Sequence, residues 1–184
     1  NLVLQLDDVD LSGLSSLRGV NGRLEASGNL DLTPLAGLSC VGDDVSLLSP
    51  AAIALPALVA VPGDVFVGGG SLVDLGGFSA LRVIGGDLRV ETAGVADLAG
   101  LDALVSVGGA LVFGDDVDTA ALSFDGAPAL TSLGRLELRA NTPADVGGLR
   151  SLQRVTDALV VDGNDVVDLA LPALTEVGSL LIVN

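Results

Sequence analysis

Residues 81–104 read LRVIGGDLRVETAGVADLAGLDAL. Leu81 and Ile84 are three apart, Leu88 and Val90 two apart, and Leu98, Leu101 and Leu104 three apart. Period two is the signature of an extended strand whose alternate side chains face one way. Period three suits a tight 3₁₀-like turn or short extended edge, not a long helix. Two glycines, Gly85 and Gly86, separate the first apolar pair from the strand. A unit of this length with one apolar face cannot bury that face by itself.

The same spacing runs outward through the whole chain. Leu17, Leu38, Leu58, Leu81, Leu104, Leu130, Leu152 and Leu174 stand 20 to 26 residues apart. Three places after each comes Val20, Val41, Val61, Ile84, Val107, Leu133, Val155 or Val177. Six or seven places after each comes Leu24, Val45, Val65, Leu88, Leu111, Leu136, Leu159 or Leu180. Two places further stand Ala26, Leu47, Val67, Val90, Phe113, Leu138, Val161 and Ile182. Four aliphatic columns over eight units define an internal repeat. They predict an all-β, right-handed parallel β-helix of about eight turns, about 22 residues per turn, each turn burying its neighbour's apolar face. The residue between the last two columns should face solvent: Glu25, Ser46, Phe66, Arg89, Val112, Glu137, Val160 and Leu181. Residues 1–184 read as one solenoid domain, or as a segment of a longer repeat array.

Glycines collect just before the strand, including Gly22, Gly63, Gly86, Gly109 and Gly134. A corner there needs either positive φ or close backbone approach. Asn29, Asn141 and Asn164 follow the strand and suit a left-handed corner. An Asp usually opens the period-three segment: Asp10, Asp31, Asp74, Asp97 and Asp145, with Asp168 close to register. The expected role is a repeated cap, the carboxylate accepting from backbone N–H groups two or three residues on.

Composition narrows the function. Acids outnumber bases 24 to 8, for a formal charge of −16, and every base is Arg. No basic patch exists to neutralise phosphates, so nucleic acid and anionic membrane surfaces are poor partners. With no His, Lys or Tyr and one Cys, the usual general bases and activated nucleophiles are missing. Gly68-Gly69-Gly70-Ser71 lacks the Lys of a phosphate-binding loop. Cys40 cannot form a disulfide within the chain, and packing or partial exposure suits it better than redox chemistry. No apolar run is long enough for a transmembrane helix. Thr residues are scattered rather than set in the rows an ice-binding face needs. The chain reads as a non-enzyme.

The run L-x-x-V-x-G-x-L-x-V, a Gly or Asn corner and L-x-x-L-x-x-L resembles the receptor L-domain repeat, which is related to leucine-rich repeats. The resemblance covers nearly the whole chain and extends to bacterial or archaeal surface repeat proteins. It implies a short β-helix that binds partners through faces or ends, an extracellular or cell-surface location, and no catalytic residues. The disulfides and apical aromatics of the receptor modules are not present in this sequence. A leucine-rich-repeat horseshoe has a similar period, but its L-x-x-L-x-L-x-x-N frame is not kept.

Calcium is the main chemical alternative, since it takes six to eight oxygen ligands. Asp44, Asp64 and Asp87 precede the strand in successive turns and should stack, and Asp115, Asp116 and Asp118 cluster in the longest unit. Asp162, Asn164 and Asp165 form another acidic corner. No other cofactor is expected. Both ends of the sequence read as strands, Asn1 to Leu6 and Leu180 to Asn184, with no capping helix. An uncapped stack offers unpaired backbone groups. The expected function is therefore a structural solenoid that self-associates through ends or faces into a filament or layer, or joins another surface protein. Leu2, Leu4, Leu6, Val160, Leu181 and Ile182 are the interface candidates. The alternative is a ligand- or glycan-binding module of a surface receptor or adhesin.

Overall fold

A computed structural model describes residues 1–5, 7, 9–69, 72–92, 94–113, 123–139, 146–162 and 170–183. The eight sequence units each contribute one strand to a parallel stack, and the segment before them adds a ninth. The stacked strands are β1 (Leu2–Gln5), β3 (Leu24–Ser27), β5 (Val45–Leu48), β7 (Val65–Gly68), β9 (Leu88–Glu91), β10 (Ser106–Phe113), β11 (Ser132–Arg139), β12 (Arg154–Asp162) and β13 (Glu176–Val183). Steps of 20 to 26 residues separate paired positions, from Leu2↔Leu24 to Leu159↔Leu180. The chain is thus a parallel β-solenoid with about 22 residues per turn, as the spacing predicts.

A second, shorter ladder occupies the other side of the glycine corner. It comes in two pieces, β2 (Gly19–Val20) paired with β4 (Cys40–Val41), and β6 (Ala60–Val61) paired with β8 (Val83–Ile84), which pairs in turn with β10. From β10 onward the two segments run together as one long strand bent at the corner by a register shift. Such a bulge re-aims the chain without ending the pairing. Cys40 stands exposed on the short ladder.

The period-three segments are tight turns. Leu14 N–H donates to Leu11 O and Leu17 N–H to Leu14 O, each at 2.8 Å, and Leu32–Leu35–Leu38 repeats the pattern. An i+3 bond brings every third side chain to one face, which is why these leucines are all on the core side. The core is a continuous aliphatic filling from Leu11 to Leu159. Two rings also enter it, Phe78 and Phe124, both fully buried. Phe124 stands three residues before Ala127, so a large and a small residue share one turn of a narrow interior.

Two expectations are corrected by the backbone. Left-handed φ falls on Gly28 (φ 101°), not on Asn29, whose N–H instead donates to Asp7 Oδ1 at 3.0 Å. The outward row is also less solvated than its alternation suggests. Val112, Glu137 and Val160 are 7%, 7% and 6% exposed. They are direct register partners in three successive strands. At about 4.8 Å between strands, each side chain is flanked by those above and below.

Candidate functional site

The acidic residues sort into two rows with different jobs. In the first, the carboxylates of Asp10, Asp31, Asp74 and Asp97 accept from the backbone N–H two residues on, at 2.8, 2.9, 2.8 and 2.8 Å. Ser123 holds the same position in the next turn through its hydroxyl. These are the repeated caps read from the sequence; Asp145 and Asp168 lie outside the described residues. The backbone bond from Ser12, then its side-chain bond, holds Asp10 below the usual carboxylate range. The Thr33 side-chain and backbone bonds do the same for Asp31.

The second row is the stack of Asp44, Asp64 and Asp87. Asp44 Oδ1 accepts from Asp64 N–H at 2.9 Å, Asp64 Oδ1 from Asp87 N–H at 2.8 Å, and Asp87 Oδ1 from Ala110 N–H at 2.8 Å. Asn1 begins the same pattern by accepting from Arg23 N–H at 3.0 Å. The carboxylates do stack, and in each the Oδ1 atom is turned to the next turn's backbone. Among the described residues no three His, Cys, Asp or Glu side chains gather as a metal shell. Asp115, Asp116, Asp118, Asn164 and Asp165 lie outside the described residues, as does the side chain of Asp162.

The Asp row ends at a cleft of about 350 Å³ in the side of the solenoid. Its cause is a missing residue. The corner is two residues long at Gly108–Gly109 and at Thr156–Asp157, but one residue long, Gly134, in the turn between them. Gly134 therefore lies recessed below its neighbours, and a Cβ there would stand 2.3 Å from Gly108 O. The floor is completed by Ala110. On one bank lie Asp87 and Arg89, 3.6 Å apart, and on the other Arg135 and Glu137, also 3.6 Å apart. These separations exceed a normal charge-assisted hydrogen bond. Arg135 Nε is buried without a hydrogen-bond partner.

No family model, curated protein or solved structure matches the chain. Its functional reading rests on its own residues. Among the described residues no helix is long and apolar enough to cross a membrane.

The interface candidates separate. Leu2 and Leu4 are half-buried against the core, while Leu181 is 51% exposed and its neighbour Leu180 60%. Ile182 pairs with Val161 in the ladder, and its side chain is outside the description. Leu6 is outside the described residues. Val160 is covered by its own stack and offers little surface. The cleft was not among the sequence candidates. Its signal was present in the spacing: Leu130 to Leu136 is six residues, where Leu104 to Leu111 and Leu152 to Leu159 are seven.

Proposed function

We propose that the chain is a structural and interaction solenoid of an extracellular or cell-surface setting, which joins further copies of itself through its end strands. One observation carries this reading. Leu2 and Leu4 of β1 occupy the same inward columns as Leu180 and Ile182 of β13, because both ends belong to one continuous register. A second copy whose β1 lay on β13 would continue the parallel ladder and cover Leu180. Such a contact is heterologous and does not close, so it propagates into a filament. The net charge of −16 keeps the lateral faces apart and leaves the ends as the favoured contact. The resemblance to the receptor L-domain repeat agrees with a surface role, and the lack of His, Lys and Tyr with a non-catalytic one.

The experiment is sedimentation velocity across a protein concentration series at physiological salt, with electron microscopy of the highest concentration. Growing species and fibres are expected. Leu180→Asp should return the protein to monomer by placing a charge in the contact. A strict monomer at every concentration would overturn the proposal.

A further inference from the structure

We infer that the solenoid carries a built-in breakpoint between its second and third turns, at which the part of the stack from β1 to β5 swings open as one unit. The inference goes beyond the end-to-end contact and does not depend on it. Turn 2 holds β4 and β5, and turn 3 holds β6 and β7. Along the short ladder the same backbone bond joins each turn to the next. It runs from Ser39 N–H to Arg18 O, from Arg82 N–H to Val59 O, and so on to Thr175 N–H and Gln153 O, at 2.8 to 3.0 Å. Between turns 2 and 3 the matching bond, Val59 N–H to Ser39 O, is not formed, and β4 does not pair with β6.

Pro62 is the cause. The residue after the short strand is glycine in turns 2 and 4, where Gly42 N–H donates to Val20 O and Gly85 N–H to Val61 O, each at 2.8 Å. A Cβ at Gly42 or Gly85 would stand 2.3 or 2.1 Å from the carbonyl oxygen of Asn21 or Pro62, one turn earlier. In turn 3 that place belongs to Pro62. Proline has no N–H to give Val41 O, and its ring brings a Cβ to the spot that the stacking keeps clear. Both effects hold the corner of turn 3 off turn 2. On the side of the tight turns, the Asp31↔Ala52 bridge is accompanied by an Ala51 N–H to Leu30 O bond as long as 3.4 Å. The β5–β7 ladder alone is regular across the joint. The chain itself crosses at Ser49, held at φ 57° where the matching residues are Gly28 and Gly69. Swinging about Ser49 releases that backbone strain. The aliphatic core is continuous across the joint, so the closed stack prevails and opening is a minor excursion. It uncovers Leu58, Val61, Val65 and Val67, the apolar edge of turn 3.

The test is native-state hydrogen exchange of the isotope-labelled chain, followed at single amides by NMR. Val45 and Ser49 donate across the breakpoint, to Asp64 O at 2.8 Å and Gly68 O at 2.7 Å. Leu24 and Gly28 make the same bonds one turn earlier, and Val65 and Gly69 one turn later, at 2.8 to 3.0 Å. Bond length alone therefore gives Val45 and Ser49 no less protection than these four. With the breakpoint, Val45 and Ser49 should be protected about 10-fold less, or lower still, than all four. Pro62→Gly supplies the donor and removes the ring, and should bring Val45 level with Val65. That ratio is read within one protein, so the change in global stability from a lost proline does not enter it. Pro56→Ala, in the same turn but away from the corner, should leave the ratio as it was. Should Pro62→Gly not fold, the unsubstituted chain decides alone. Protection of Val45 and Ser49 equal to that of Val65 and Gly69 would overturn the proposal. So would protection that falls steadily from Val65 through Val45 to Leu24, the pattern of fraying from one end, or a Val45 to Val65 ratio that Pro62→Gly leaves unchanged.

Discussion

Asp64 donates its backbone N–H to Asp44 Oδ1 and accepts from Asp87 N–H through its own Oδ1. The chain thereby couples two columns of its sequence. Where Asn1, Asp44, Asp64 or Asp87 reaches the next turn, the residue before the donor is glycine: Gly22, Gly63, Gly86 or Gly109. A Cβ at Gly86 would lie 2.0 Å from Asp64 Oδ1 and 3.0 Å from the Gly63 carbonyl. Where the acceptor column carries Arg23 instead, the next turn tolerates Asp43 at the glycine position. Close approach, not positive φ, is what the corner requires. Asp64→Ala should then cost about 1 kcal/mol, the scale of one exposed hydrogen bond. Gly86→Ala should cost more, and its cost should shrink in the Asp64→Ala background because the nearest clash is gone. The backbone clash with Gly63 remains, so relief is partial. Chemical denaturation of the four proteins of this double-mutant cycle measures the coupling. Additive costs would mean that the carboxylate does not set the glycine.

Strands β7, β9 and β10 show what alternation alone can and cannot specify. Leu88 is buried between its register partners Val65 and Leu111, and Arg89 beside it faces out. Leu88→Asp should unfold the stack or cost several kcal/mol, by losing an aliphatic side chain from the core, about 1.5–3 kcal/mol, and burying an unpaired charge. Arg89→Ala should change stability by no more than about 0.5 kcal/mol. Thermal melts of both variants decide; equal effects would mean the register is shifted by one residue. The inward columns were legible because burial repeats every turn and only aliphatic residues satisfy it. The capping row from Asp10 to Asp97 was legible for a similar reason: a local bond two residues away needs no knowledge of the fold. The covered state of Val112, Glu137 and Val160 was not, because it depends on which side chains stand above and below. The cleft was half legible. The six-residue interval from Leu130 to Leu136 was in plain view, but a shortened corner becomes a cleft only when longer corners are stacked on both sides of it.

At the scale of the whole molecule, stacking concentrates charge as well as apolar surface. The solenoid sets Asp44, Asp64 and Asp87 one strand apart, about 4.8 Å, in a chain with 24 acids and 8 bases. Each pair of neighbouring carboxylates repels by roughly 1 kcal/mol in water, and folding brings together charges that the unfolded chain holds apart. Salt reaches this repulsion more readily than it reaches the core. Lengthening the screening range from about 8 Å at physiological salt to about 30 Å at 0.01 M should therefore destabilise the fold, and the melting temperature should rise steadily as sodium chloride is restored. Arg154–Glu176 and the other exposed ion pairs oppose the trend only weakly, since such pairs contribute about 0–1 kcal/mol each. Calcium separates general screening from a specific site. In the Asp44–Asp64–Asp87 row one oxygen of each carboxylate is already bonded to the next turn's N–H. Calcium and magnesium chlorides at equal ionic strength should thus raise the melting temperature equally. An excess for calcium that Asp64→Asn removes would show that the row coordinates the ion despite those bonds. An excess that Asp64→Asn leaves intact, and that Asp116→Asn removes, would place the ion at Asp115, Asp116 and Asp118 instead.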